Sequence, residues 1–212
     1  MLILAIETST STGSFAISNE GKIIFQDYAD MKITHSESIM VRIDNAMNSL
    51  KISKTDLKGV CVSIGPGSFT GLRIGLATAK GICSAFMIPL IAFNTLEILA
   101  CNVYGSGKNI LSLIDARMNE VYMAVYDENF NNIIESCCRK YDDIVNVGIG
   151  DYLCVGDIHL LPKEDRFIKA LPHQNLINAA AMFSLMKLKK IDFTYDEKVI
   201  ERLEPNYIRN VK

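Results

Sequence analysis

The stretch Gly65-Pro66-Gly67-Ser68-Phe69-Thr70-Gly71 is where residue types and spacing in this chain most invite chemistry. It follows the apolar, β-branched run Gly59-Val60-Cys61-Val62-Ser63-Ile64 and precedes Leu72–Cys83, so the unit reads as strand, glycine loop, helix, with Thr70 in the N-cap position. Such a loop aims backbone N–H groups and the positive end of a helix dipole at one spot, which is how phosphates and carboxylates are held. The spacing matches neither common nucleotide loop. No Gly-Lys-Ser/Thr follows, and glycines 65, 67 and 71 are not spaced G-x-G-x-x-G. Two readings stay open: an anion cradle built from Gly65, Gly67, Ser68 and Gly71, and a tight strand-to-helix turn. Thr8 and Ser9, in a hydroxyl-rich loop after the first apolar run, could reach the same kind of ligand, although loops of this composition are common connectors.

Other candidates are sparse. His35 is the only histidine of the N-terminal half, and the position four residues on, where a second metal ligand on one helix face would sit, is Ile39. Glu7 and Asp115 are the acidic residues best placed after apolar strands to serve a nucleotide cleft. With three histidines and no recognisable nucleophile motif, a protease has little to work with. No metal site and no catalytic residue is assigned.

The elements that would position these residues follow a pattern. Leu2–Ile6, Ser14–Ser18 and Lys22–Gln26 read as a meander of strands, with Asn19-Glu20-Gly21 suited to a hairpin turn. Residues 34–50 read as an amphipathic helix with Ile39, Met40, Ile43, Met47 and Leu50 on its apolar face. Pro89–Phe93 is a strand, and a helix capped by Asn94 or Thr95 runs through Val103. After the linker-like Tyr104–Asn109, the order restarts with strands at 110–114, 120–126 and 132–134, a turn at 115–119, and a further strand at 151–156 with Asp157 behind it. A last long helix is expected from Gln174 to Lys189. Matching meanders suggest an internal duplication, with lobes at 1–104 and 105–212 and a tail able to pack back on the first lobe.

The helix after the glycine loop carries small residues. Gly71, Gly75, Thr78, Ala79 and Ile82 fall on one side, beside Leu72. Each interior glycine costs about 1 kcal/mol relative to alanine, so something packs very close, either a neighbouring element of this chain or a second protein.

Composition narrows the class. The 212 residues are 49% apolar and 22% charged, which supports a sizeable core. Net charge is −2 without like-charge runs, so no large nucleic-acid footprint is written in the chain. Six cysteines without C-x-x-C spacing, no leader-like start and no apolar run of about 18 residues point to a soluble cytoplasmic protein.

Ile6-Glu7-Thr8-Ser9, His35-Ser36-Glu37, Ser63 through Gly75, Asp115-Ala116-Arg117 and Glu204-Pro205-Asn206-Tyr207-Ile208-Arg209 together resemble the bacterial TsaB (YeaZ) family over most of the chain. The resemblance implies an α/β, two-lobed actin/hexokinase/Hsp70-like (ASKHA) fold, a duplicated mixed sheet flanked by helices. It further implies a noncatalytic subunit that dimerises with its paralogue TsaD, the enzyme that transfers threonylcarbamoyl to N6 of adenosine 37 in tRNAs reading codons that begin with A. An ATPase subunit, TsaE, joins them. Here the position four after His35 is Ile39, where the catalytic paralogue has a second histidine. ATP and metal are then expected on the partner subunits, no cofactor on this chain, and tRNA contact only through the complex. The helices at 36–50 and 71–86 would form the docking face, through Ile39, Met40, Ile43, Met47, Leu50, Gly71, Leu72, Gly75, Thr78, Ala79 and Ile82, for the paralogue or, in its absence, for a second copy. Thr8, Ser9, Gly65, Gly67, Ser68 and Gly71 would be at most a vestigial phosphate loop. The rival from another class is an ATP-dependent small-molecule kinase of the same fold, which would turn over ATP in isolation; a protease acting on the paralogue is the third.

Overall fold

Leu2–Glu7 is buried at all six positions, as a strand at the middle of a sheet must be. In the computed structural model, which describes residues 1–30, 39–191 and 193–208, it forms β1. β2 (Thr12–Asn19) and β3 (Lys22–Asp30) continue antiparallel beside it. They are joined by Glu20 and Gly21, both at positive φ (50° and 75°), the two-residue hairpin expected from Asn19-Glu20-Gly21. β4 (Leu57–Ser63) pairs parallel with β1, and β5 (Leu90–Phe93) parallel with β4, giving the order β3-β2-β1-β4-β5. A second sheet repeats the scheme. β6 (Asn109–Arg117), β7 (Glu120–Tyr126) and β8 (Asn132–Lys140) form the meander, β9 (Tyr152–Gly156) and β10 (Phe167–Lys169) add in parallel, and the order is β8-β7-β6-β9-β10.

Among the described residues the α-helices are α1 (Ile39–Ser49), α2 (Phe69–Phe86), α3 (Thr95–Cys101), α4 (Ala181–Leu188) and α5 (Glu197–Arg202). Met1–Asn94 with Asn178–Asn206 makes one compact unit, and Thr95–Ile177 the body of another. The division thus falls at 94/95, before α3, whereas the linker-like composition places it near 104. In the first unit α1 and α2 cover the sheet: Ile39, Ile43, Met47, Leu76, Ala79 and Ile82 pack on Leu4, Ile6, Ile17, Val60 and Val62, with Ile200 of α5 in the same cluster. The second core gathers Leu111, Leu113, Val121, Met123, Val125, Ile144, Tyr152 and Phe167. All six cysteines are free thiols.

Several boundaries depart from the sequence pattern. Ser68, not Thr70, caps α2: its Oγ accepts the Gly71 N–H at 3.2 Å, and Phe69 is already helical. A helix over 174–189 does not form as one piece; Pro172–Asn175 is a 3-10 turn and α4 starts only at Ala181. The break has a polar cause. Ala179 N–H donates to Ser14 Oγ at 2.9 Å and Ala181 N–H to Asn178 Oδ1 at 3.2 Å, so side chains take the donors that helix continuation would use. α3 ends at Cys101 rather than Val103. β10 and α5, three and six residues long, are too short to show a period in sequence. The first residues of the helix expected over 34–50, His35 among them, and Arg209 lie outside the described residues. No helix among the described residues is long and apolar enough to cross a membrane.

Candidate functional site

The glycine loop and the turn after β1 meet. Thr8 Oγ1 donates to the Gly71 carbonyl at 2.7 Å, and the Ser68 N–H donates to the Ser9 carbonyl at 2.6 Å. A Cβ on Gly67 would stand 2.2 Å from Ser9 O, one on Gly71 2.0 Å from Thr8 O, and one on Gly75 2.2 Å from Thr8 Oγ1. Glycines 67, 71 and 75 therefore form a seat along the start of α2, and the Thr8-Ser9 backbone lies in it. Gly65, at φ 111°, meets the returning tail instead: Asn206 N–H donates to Ile64 O at 2.6 Å, and a Cβ on Gly65 would come within 2.8 Å of Asn206 O. The close neighbour that the small residues required belongs, at these positions, to the same chain.

Glu7 anchors that turn from below. Its side chain is fully buried, and Oε1 accepts the Ser9 N–H at 2.7 Å and the Ser63 hydroxyl at 3.0 Å. Burial pushes the carboxyl above its usual range, and the bonds from Ser9 and Ser63 only partly oppose this. Such an acid organises a turn from inside the core. Ser63 and Asn206 hold positions that the sequence pattern does not assign, and the only signal for Ser63 is a lone hydroxyl ending an apolar strand.

Asp115, the other acidic candidate, sits at the matching place in the second unit. Its N–H donates to Asp157 Oδ2 at 2.7 Å, and its Oδ1 accepts both the Tyr141 hydroxyl and the Arg117 N–H at 2.7 Å. Burial works to raise this carboxyl, but those two bonds and the charges of Arg117 and His159 outweigh it, so its pKa lies below the ordinary value. The same contact raises Tyr141. Among the described residues, no three His, Cys, Asp or Glu side chains are grouped to hold a metal ion.

The residues expected on a docking face divide by exposure. Ile39, Ile43, Met47, Leu72, Gly75, Ala79 and Ile82 are buried, Gly71, Thr78 and Leu50 are half-buried, and Met40 is exposed. The buried side chains pack inside the first unit because the apolar stripe of an amphipathic helix turns to its own sheet first. What α1 and α2 offer outward is Met40, Val41, Phe69, Ile74, Ala77 and Gly81, with the Arg73 guanidinium 3.7 Å from the centre of the Phe69 ring.

This sequence matches the family model of TsaD, tRNA N6-adenosine threonylcarbamoyltransferase, over residues 29–203. It is 32% identical over 178 residues to the tRNA threonylcarbamoyladenosine biosynthesis protein TsaB of Bacillus subtilis, covering 84% of this chain and 73% of that one. The chain belongs to the TsaB (YeaZ) family. The TsaB protein of Escherichia coli is 34% identical over 135 residues, 63% of this chain and 58% of its own length. YeaZ from Pseudomonas aeruginosa shares the fold with a TM-score of 0.79 and 22% identity, over 97% of this chain and 99% of that one. The two mixed sheets are thus the fold of YeaZ.

Proposed function

We propose that this chain is a noncatalytic subunit in tRNA threonylcarbamoyladenosine synthesis, joining a TsaD-like catalytic paralogue, to which a TsaE-like ATPase is recruited. The observation that carries the reading is Ile39. It stands in the sequence four residues after His35, where a second metal ligand would sit, and its own side chain is 1% exposed in the core beneath α1. The glycine loop supports the same reading, since close packing of the Thr8-Ser9 turn accounts for Gly67, Gly71 and Gly75 without a ligand. ATP and metal then belong to the partner subunits, tRNA is reached through the complex, and the chain works in the cytoplasm.

The docking face is the outward side of α1 and α2, with Met40, Val41, Ile74, Ala77 and Gly81 at its centre. Gly81 has open space where a Cβ would stand, which leaves room for close helix approach. In the absence of the paralogue a second copy takes this face. Reconstitution tests the proposal. The isolated chain should give no modified tRNA and no ATP turnover above background, and adding the paralogue should restore product. Ile74→Asp should abolish the heterodimer on size exclusion while circular dichroism stays unchanged. Steady ATP hydrolysis by the pure chain, lost on changing Glu7 or Asp115, would overturn it in favour of a kinase-like enzyme.

A further inference from the structure

The positive charge of this chain is not spread evenly. Net charge is −2 without like-charge runs, yet the fold brings lysines from three separate segments to one end of the first sheet. Register places the first two. Lys22 stands opposite Asn19, Asn19 opposite Leu2, and Leu2 opposite Leu57, so the first residue of β3 and the start of β4 lie in one row across four strands. With strands about 4.8 Å apart that row is about 14 Å long, and Lys58 is next along β4. α4 ends at the same place: Lys187 Nζ donates to the Gly21 carbonyl at 3.4 Å, beside Lys22. The chain leaving α4 runs toward Lys58, because a Cβ on Gly59 would stand 2.8 Å from the ring of Phe193, three residues after Lys190.

Lys22, Lys58, Lys187 and Lys190 are exposed, and none of them pairs with a carboxylate among the described residues. The described acids that flank them in the chain are already engaged: Glu20 pairs with the Met1 amino group, and Asp56 accepts the Ser53 N–H at 3.1 Å. A helix C-terminus attracts lysines through its dipole, which accounts for Lys187 in the last turn of α4. It does not account for Lys22 and Lys58, which sit on strands. Nor do the lysines line one face. Lys22 points to the α1 side of the sheet, because Asn19 shares a face with Ile17, opposite which Phe25 packs on the α1 core. α4 lies on the other side, where Met186 meets Cys61 at 3.2 Å. The four lysines thus bracket the end of the sheet, an arrangement for a long polyanion crossing that end and not for a small anion held in a pocket. Lysine, a point charge on a flexible stem, meets phosphates in this way without reading bases.

We infer that this end of the first sheet binds the phosphate backbone of RNA through Lys22, Lys58, Lys187 and Lys190. The inference rests on the function proposed above, which supplies a tRNA substrate, and it gives this chain a direct share in holding it. The test uses the reconstituted complex of the full chain with its TsaD-like paralogue, a tRNA transcript, and fluorescence anisotropy over a series of salt concentrations. Lys187→Gln with Lys190→Gln should raise the dissociation constant about tenfold and lower the log–log salt slope by roughly 1.5–2, because each lysine that neutralises a phosphate contributes close to one to that slope. The loss should be the same for unrelated tRNAs, since phosphate contacts carry no sequence. Lys163→Gln with Lys169→Gln removes the same charge from exposed positions of the second unit and should leave affinity and slope unchanged. Equal loss from both pairs would overturn the inference in favour of general charge. Variants that lose the paralogue instead of the RNA would assign these lysines to a protein contact and overturn it likewise. An intact heterodimer whose affinity and salt slope ignore the Lys187 and Lys190 changes would overturn this inference alone, whereas failure of the unaltered chain to form the heterodimer would overturn the function proposed above and this inference with it.

Discussion

The two units share a strand order and differ in how they cross from the fourth strand to the fifth. From β4 to β5 the chain spends residues 64–89, including the 18-residue α2; from β9 to β10 it spends 157–166, with only a 3-10 turn at Ile158–Leu160. Both crossovers leave the sheet through a glycine in the left-handed region, Gly65 at φ 111° and Gly156 at φ 103°. Both first turns carry an acid tied to the neighbouring parallel strand, Glu7 to Ser63 and Asp115 to Asp157. The acids end up opposite. Under the long helix Glu7 is fully buried and raised, whereas Asp115, beside the short crossover, is only partly covered and lowered. A duplicated sheet thus places an acid at the end of each first strand, and burial at Glu7 against hydrogen bonds from Tyr141 and Arg117 at Asp115 decides what kind of acid each becomes.

The largest expected effect breaks the helical cover itself. Met47 is 1% exposed between α1 and the first sheet, so Met47→Asp should cost about 4 kcal/mol or more through the lost packing and a buried charge. Hydrogen exchange should report loss of protection in β1 and β4; equal loss in β6 and β9 would mean the units do not unfold separately.

Next come the two crossovers compared directly. Gly71→Ala puts a Cβ 2.0 Å from Thr8 O and Gly156→Ala puts one 2.1 Å from Leu113 O, so each should destabilise by roughly 2–3 kcal/mol in chemical denaturation. A benign Gly156→Ala beside a damaging Gly71→Ala would show that the short crossover yields where the long one cannot.

The acids should respond to pH in opposite directions. Glu7 has its folded pKa raised above the ordinary 4.5, so the stability it carries is full below that pH and falls as pH rises toward the folded value. Asp115 has its folded pKa lowered below the ordinary 3.8, so its contribution is present above that pH and is lost as pH falls further. Melting temperatures against pH for Glu7→Gln and Asp115→Asn should each remove one of these slopes. If both variants removed the same slope, the contrast between buried and open acid would fail.

The smallest effect sits on the helix that carries the strongest constraint. A Cβ on Gly81 would meet nothing within 4 Å, unlike one on Gly71 or Gly75, and Gly81→Ala should stabilise the isolated chain by up to about 1 kcal/mol. A loss of stability instead would mean that α2 is held as tightly on its outer side as on its inner one.

Much of this was determined by the sequence alone. Continuous apolar runs such as Leu2–Ile6 and Gly59–Ile64 read as strands, Asn19-Glu20-Gly21 suits a hairpin turn, and the repeated meander implies a duplicated sheet, because these signals act within a few residues. The unbroken Gly-Pro-Gly-Ser-Phe-Thr-Gly-Leu-Arg run likewise carried the family. Tertiary structure decided what those residues touch. That Gly67, Gly71 and Gly75 seat Thr8 and Ser9, some sixty residues away, is invisible to spacing, since the same small residues would suit a phosphate or a partner helix. So is the end of the expected helix at 174–189, which turns on a hydroxyl at Ser14, 165 residues distant from Ala179. Periodicity shows that a helix has an apolar face, but which neighbour covers that face depends on contacts between residues far apart in the chain, and only the folded arrangement brings those together.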